Sequence, residues 1–191
     1  MVKEYYEIWK EYLKELRATV AYADLVKYFI GHFNAITLQK DLIPQIRPKV
    51  LNITDTPLGQ LLIDETSLSH KRFIFLFKED DRFDGMFDLD FIDDFLVNFR
   101  AQLFVRGLFG SGKLKAKWAN VRSLMEDMYG KSLGRMMVYD DVWHDNVNGL
   151  IVCLRKGGGF RIPSYISFTI TKEKFAQSAM QYIVEAEARR L

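Results

Sequence analysis

From Lys3 to about His32, apolar residues recur at Tyr5, Ile8, Trp9, Tyr12, Leu13 and Leu16, then at Val20, Leu25, Val26, Phe29 and Ile30, with charges between them. That spacing keeps one face apolar over several helical turns and predicts a helix. Its first half is unusually aromatic, and aromatic residues are enriched in the cores of protein interfaces. The helix either docks on its own core or packs on another subunit, and in the second case Tyr5, Tyr6, Trp9, Tyr12, Leu13 and Leu16 are the candidate partner-binding residues. Asn34 to Thr56 carries Pro44 and Pro48 and reads as a bent connection. Thr56 followed by Pro57 places a capping hydroxyl before a proline at the first helical position, predicting a helix through Gly59, Leu61, Leu62 and Ile63 to about Ser67. KRFIFLF, Lys71 to Phe77, is apolar and rich in aromatic and β-branched types, as a strand is.

The chain is organised around Phe91 to Tyr129. Phe91, Ile92, Phe95, Leu96, Phe99, Leu103 and Phe104 are spaced as one face of a helix, with Asp93, Asp94, Asn98, Arg100 and Gln102 mostly on the other. Leu114, Trp118, Val121, Leu124, Met125 and Met128 repeat the pattern, and Gly130 stands where a helix ends on glycine. GLFGSG, from Gly107 to Gly112, then joins helix to helix. Beyond it, Arg135 to Trp143 and Gly149 to Arg155 read as strands around the turn HDNVN. A third strand lies within Phe160 to Ile170, after a turn at Lys156 to Gly159. Lys172 to Arg190 closes the chain as a helix carrying Arg189 and Arg190 at its negative end. The expected fold is α+β: several long helices around the helix–glycine turn–helix core, a small antiparallel sheet, and N- and C-terminal helices. An N-terminal helical arm and connection, 1–55, would precede a core domain, 56–191.

With 191 residues, 49% of them hydrophobic, the chain has enough apolar surface for a sizeable core. A net charge of +2 demands no nucleic-acid or membrane-surface partner. One cysteine, Cys153, leaves no internal disulfide and no multi-cysteine zinc cluster, and within the run Leu150 to Leu154 it reads as a small buried hydrophobe. No apolar run approaches the roughly 18 residues a membrane helix needs, and MVKEYYEIWKEY lacks the core of a signal peptide, so a soluble intracellular product is expected.

Four patterns carry possible chemistry. Gly107, Gly112 and Lys113 match the G-x-x-x-x-G-K spacing of a phosphate-binding loop, and RMMVYDD resembles an apolar strand ending in magnesium-binding acids, here Asp140 and Asp141. Against a nucleotide-dependent enzyme stand Leu114 in place of the metal-binding Ser or Thr, the helical reading of the preceding segment, and the 79 residues that follow Gly112. Glu79 to Asp94 holds eight acidic residues but fails the calcium-loop template at Arg82 and Phe91, and reads as a solvated loop with Asp88 or Asp90 capping the next helix; a non-standard cation site and binding of a host factor are the alternatives. Asp140, Asp141, His144 and Asp145 cluster at a strand end, where turn formation accounts for them. His32 and His70 have no acidic or nucleophilic neighbour at a telling spacing. Arg100, Arg106, Lys113, Lys115, Lys117 and Arg122 read as a solvated basic face or a protein–protein rim. No catalytic residue, cofactor or metal is expected.

The order of these features resembles phage tail proteins of the tail-protein-I kind, small wedge components of contractile-tail baseplates. The likeness runs from about Thr56 to Ile170. It rests on Gly59, Leu62 and Arg72 in TPLGQLLIDETSLSHKR, on Phe95, Phe99, Arg100 and Ala101 in FIDDFLVNFRAQLFVRG, on the glycine turn and helix Gly107 to Gly130, on MMVYDD, and faintly on RIPSYI. The resemblance implies a virion protein of the tail baseplate, made in the host cytoplasm. It would act as a structural wedge or connector without catalytic residues, binding other tail proteins, possibly in several copies, and neither nucleic acid nor membrane.

Overall fold

The computed structural model describes residues 21–37, 54–56, 59–66, 70–105, 111–159, 162–176 and 188. Two α-helices, α1 (Tyr22–His32) and α2 (Ser111–Tyr129), accompany eight strands: β1 (Thr54–Thr56), β2 (Gly59–Thr66), β3 (His70–Asp80), β4 (Phe83–Ile92), β5 (Phe95–Val105), β6 (Asp141–Asp145), β7 (Leu150–Gly159) and β8 (Ile162–Lys172). They form one antiparallel sheet in the order β1-β2-β3-β4-β5-β8-β7-β6. The first five strands follow one another across the sheet. Helix α2 then carries the chain to the far edge, and β6, β7 and β8 return until β8 pairs with β5.

This overturns the expected fold of several long helices with a small sheet. Gly59 to Thr66 is β2, pairing Gln60 with Leu76 and Asp64 with Phe73. Phe91 to Val105 is the end of β4, a two-residue turn, and β5. Asp93 and Asp94 close that hairpin with φ of 50 and 64, left-handed at both positions as a primed turn requires. The acidic stretch Glu79 to Asp94 is the end of β3, a turn, and the whole of β4 rather than a loop, with Asp84 and Asp88 buried in β4. Strand β6 starts at Asp141, so the expected strand at Arg135 is a tight hairpin joined by the Met136–Tyr139 bridge. The expected turn Lys156 to Gly159 lies within β7. KRFIFLF does lie in a strand, Leu114 to Met128 in a helix, and Gly130, with φ 75, ends that helix by donating to the Glu126 carbonyl at 2.9 Å. After Lys172 a 3₁₀ turn, Glu173–Phe175, begins; the rest of the expected C-terminal helix lies outside the described residues, apart from Ala188.

Both helices pack on one face of the sheet. From α1, Phe29 stacks on Phe99 of β5 with centroids 3.9 Å apart, and Tyr22 donates its hydroxyl to the Ala101 carbonyl at 2.9 Å. Burial pushes the Tyr22 phenol far above its ordinary pKa, so it stays a neutral donor there. From α2, Leu114, Val121 and Met125 enter the same core, and Lys117 pairs with Glu79 at 2.8 Å. Across β3 and β4, Phe75 stacks on Phe87 at 4.8 Å. Such aromatic pairs add about 0.5–1.5 kcal/mol each beyond their burial. The opposite face is polar through its middle. There Asp88 accepts from Arg72 and Arg100, and Asp90 accepts from Asn98 at 2.9 Å. A second apolar cluster, Val142, Ile151 and Cys153, is covered on that face by Leu133, Met136 and Tyr139.

Candidate functional site

Among the described residues, the side chains singled out from sequence lie in separate parts of the fold. Gly107 lies outside the described residues, while β5 ends at Val105 and α2 begins at Ser111. The segment before the glycine turn is thus a strand, which removes one argument against a phosphate-binding loop. The acids named with it are engaged within the fold. Asp141 is held by Arg122 Nε at 3.2 Å, and Arg122 lies nine residues along α2 from Lys113. At helical rise the backbone positions of Lys113 and Arg122 stand roughly 14 Å apart along α2. Asp140 accepts from the Lys156 backbone N–H at 2.8 Å. Asp145 caps the turn after β6, accepting from the Asn148 backbone at 3.0 Å and its side chain at 2.8 Å. His144 Nε2 stands 3.4 Å from Glu173 Oε2. His70 meets Asp90 at 3.0 Å.

Among the described residues no three His, Cys, Asp or Glu side chains group as a metal site would need, and no helix is long and apolar enough to cross a membrane. The residues singled out as a structural motif are scattered. Gly59 pairs with Thr56 at the β1–β2 edge, Gly112 faces open space at the start of α2, and Arg72 and Arg100 converge on Asp88. Of the basic run, Lys113 and Lys115 are exposed, while Lys117 and Arg122 are spent on Glu79, Glu126 and Asp141. The candidate interface residues Tyr5, Tyr6, Trp9, Tyr12, Leu13 and Leu16 lie outside the described residues.

Cys153 is buried, and burial pushes its thiol up from 9.0 to about 12. The folded chain keeps a proton that the unfolded chain releases. Stability from this group is therefore complete below about pH 9 and is lost as pH rises toward 12. The native protein is expected to react with iodoacetamide at pH 8 roughly 100-fold more slowly than the unfolded chain. Equal rates would show that the thiol is accessible.

What the structure does expose is an apolar rim at one end of the sheet, where β5 and β7 begin and β6 and β8 end. Phe95, the first residue of β5, is 53% exposed; Val147, in the turn after β6, is 94% exposed; Phe175, after β8, is 43% exposed. Backbone and side-chain bonds fix these pieces together. Glu173 N–H donates to the Gly149 carbonyl at 2.9 Å, Asn34 Nδ2 to the Asn148 carbonyl at 3.0 Å, and Leu96 N–H to the Ile36 carbonyl at 3.4 Å. Lys172 lies over the Phe95 ring at 5.7 Å and Lys174 over the Phe175 ring at 4.9 Å. Burial, and then the neighbouring Lys174 charge, lowers the Lys172 pKa. Tyr28, stacked on His32 with centroids 4.6 Å apart, adds a further exposed ring from α1.

Sequence reasoning missed this rim. Its one legible sign was Val147, an apolar residue between two asparagines in a turn. Phe95 falls on the apolar face of one expected helix, and Phe175 lies within the expected helix Lys172 to Arg190. No protein-family model, curated protein or solved structure matches this chain.

Proposed function

We propose that the protein is a structural assembly subunit that works by binding other proteins, the wedge or connector role in a phage tail baseplate being its specific form. The observation that supports this reading is the rim of Phe95, Val147 and Phe175, large apolar side chains held in water by a bonded framework. Exposed apolar side chains at one end of a sheet are surface that a bound partner would cover. Asp140, Asp141 and Asp145 are engaged by the chain's own amides and by Arg122. Two segments behind the tail-protein resemblance, GQLLIDET and FLVNFRAQLFV, fold as strands where the resemblance implied helices. What remains of it is the order of residues and the role it implies.

The test is a photo-crosslinking residue placed at Val147 of the full chain, in the tail particles proposed to carry it. A discrete adduct with another tail protein, abolished by Phe95→Asp, is expected. A chain that sediments apart from tails, with no adduct, overturns the assignment.

A further inference from the structure

The turn between β6 and β7 reads Asn146-Val147-Asn148-Gly149, and its last pair sets an asparagine directly before a glycine. Asn148 is exposed. Gly149 has φ of 64, a left-handed conformation that glycine takes at no steric cost. The space around it is open: a Cβ at that position would meet only Glu173 Oε2, at 3.9 Å. Among the described residues the Gly149 N–H meets no acceptor, while its carbonyl accepts from Glu173 N–H at 2.9 Å.

Asn148 also fastens the turn. Its backbone N–H and its Nδ2 donate to the two carboxylate oxygens of Asp145, at 3.0 and 2.8 Å, and its carbonyl accepts from Asn34 Nδ2 at 3.0 Å. Asp145 is only 8% exposed, so water replaces little of what a lost donor takes away. One residue thus ties the turn back to β6 and across to the 3₁₀ turn Phe33–Ala35 that follows α1, and the glycine beside it ties the turn to the end of β8.

We propose that Asn148 is a site of spontaneous deamidation and that the product unfastens this turn. Base removes the Gly149 N–H proton, and the nitrogen attacks Asn148 Cγ. The N–Cγ bond forms, the Cγ–Nδ2 bond breaks, and Nδ2 leaves as ammonia with a proton taken from water. A water molecule then opens the succinimide. Cleavage at Cγ gives aspartate; cleavage at the backbone carbonyl gives isoaspartate, with the main chain running through Cγ. One water is consumed and one ammonia released, with no oxidation. Glycine offers no side chain to hinder the attack, whereas Asn146, the other asparagine of the turn, precedes β-branched Val147. Aspartate puts a carboxylate oxygen against buried Asp145, where like charges repel across what was a 2.8 Å hydrogen bond. Isoaspartate loses the same donor and adds an atom to the main chain before Gly149, which takes the Gly149 carbonyl out of register with Glu173. Val147 lies in the same turn, so the change falls on the apolar rim.

The experiment holds the purified full chain in buffers of rising pH and follows its peptides by mass spectrometry, with fragmentation that separates aspartate from isoaspartate. Asn148 is expected to convert to both products at least about tenfold faster than Asn146, because glycine leaves the backbone free where valine crowds it. The rate should rise with pH, since the attack needs the deprotonated amide. An Asn148 that persists, or that converts no faster than Asn146, overturns the proposal. The unfastening is read by hydrogen exchange in freshly prepared Asn148→Asp, where the Glu173 amide is expected to exchange at least about tenfold faster than in the wild type, the scale of one lost hydrogen bond. Unchanged exchange at Glu173 overturns that half of the proposal. If the variant does not fold, judged by its thermal transition, the deamidated fraction of the aged wild-type chain, separated by its added negative charge, takes its place.

Discussion

Replacing Gly85 by alanine is expected to lower the stability of the fold by about 3 kcal/mol, the upper range for forcing atoms into a filled core. A Cβ at that position would lie 2.0 Å from Phe77 Cζ and 2.3 Å from Cε1 and Cε2. Gly85 and Phe77 are directly paired partners on β4 and β3, so the phenyl ring lies across the bare backbone of its neighbour. The ring has nowhere to go, because Phe77 is wholly buried between Tyr22 at 6.5 Å and Phe87 at 6.1 Å. Changing Phe77 to leucine in the same chain should recover part of the loss, which separates steric conflict from any general intolerance of alanine at position 85. Denaturant midpoints at unchanged slope are the measurement; a loss under 1 kcal/mol would refute the account. The same device recurs across the sheet, where the Tyr165 ring covers Gly157 and a Cβ would lie 2.5 Å from Cζ.

Asp88→Ala is the second large effect. The Asp88 side chain is 1% exposed, and its Oδ2 accepts from Arg72 Nη2 at 2.7 Å and from Arg100 Nη2 at 2.6 Å and Nε at 3.1 Å. Removing the carboxylate leaves two guanidinium groups on the sheet face without their shared anion. The expected cost is about 3 kcal/mol, the lower end for breaking a buried pair, because the Arg100 side chain remains 33% exposed and water takes up part of its charge. Arg100→Met in the Asp88→Ala background should restore at least about 1 kcal/mol, since it removes one orphaned cation while keeping the stem. An additive double variant would mean that the triad contributes nothing as a unit. Thermal unfolding of the four chains completes the cycle.

These two sites show why the sheet was hard to read. Asp88 and Arg100 are cross-strand partners twelve residues apart, and each looks like an exposed helix residue until the pairing is known. Strands β4 and β5 do alternate through their middles, Phe87, Leu89 and Phe91 against Asp88 and Asp90, and Phe99, Ala101 and Leu103 against Asn98, Arg100 and Gln102. A register shift at Asp90/Phe91 and the two-residue turn at Asp93–Asp94 break that alternation between them, so that Phe91, Ile92, Phe95, Leu96 and Phe99 fall at spacings of one and three, which imitate a helix. At β2, Thr56-Pro57 supplied a sound helix start that the pairing with β3 overrode. At β7, three glycines read as a turn because nothing local reveals the Tyr165 ring that occupies the space above Gly157.

The candidate surface was harder still. An apolar residue signals a core position by its type alone, and Phe95 was assigned to a buried stripe on that basis. Whether it is buried depends on what packs beside it, and at the end of the sheet nothing among the described residues covers it fully.

From local chemistry alone came helix α2 with its glycine terminus, the lone strand KRFIFLF, the strands within Gly149 to Arg155 and Phe160 to Ile170, and the buried thiol of Cys153. Each depends on neighbours within a few residues, through periodicity, capping or an unbroken apolar run. The remaining strands, the order of the sheet, the Arg72–Asp88–Arg100 triad and the exposed apolar rim were decided only by tertiary contact. Strand pairing joins residues far apart in the chain, and it is the partner across the sheet that decides which side chains are buried, which charges are matched, and which are left facing water.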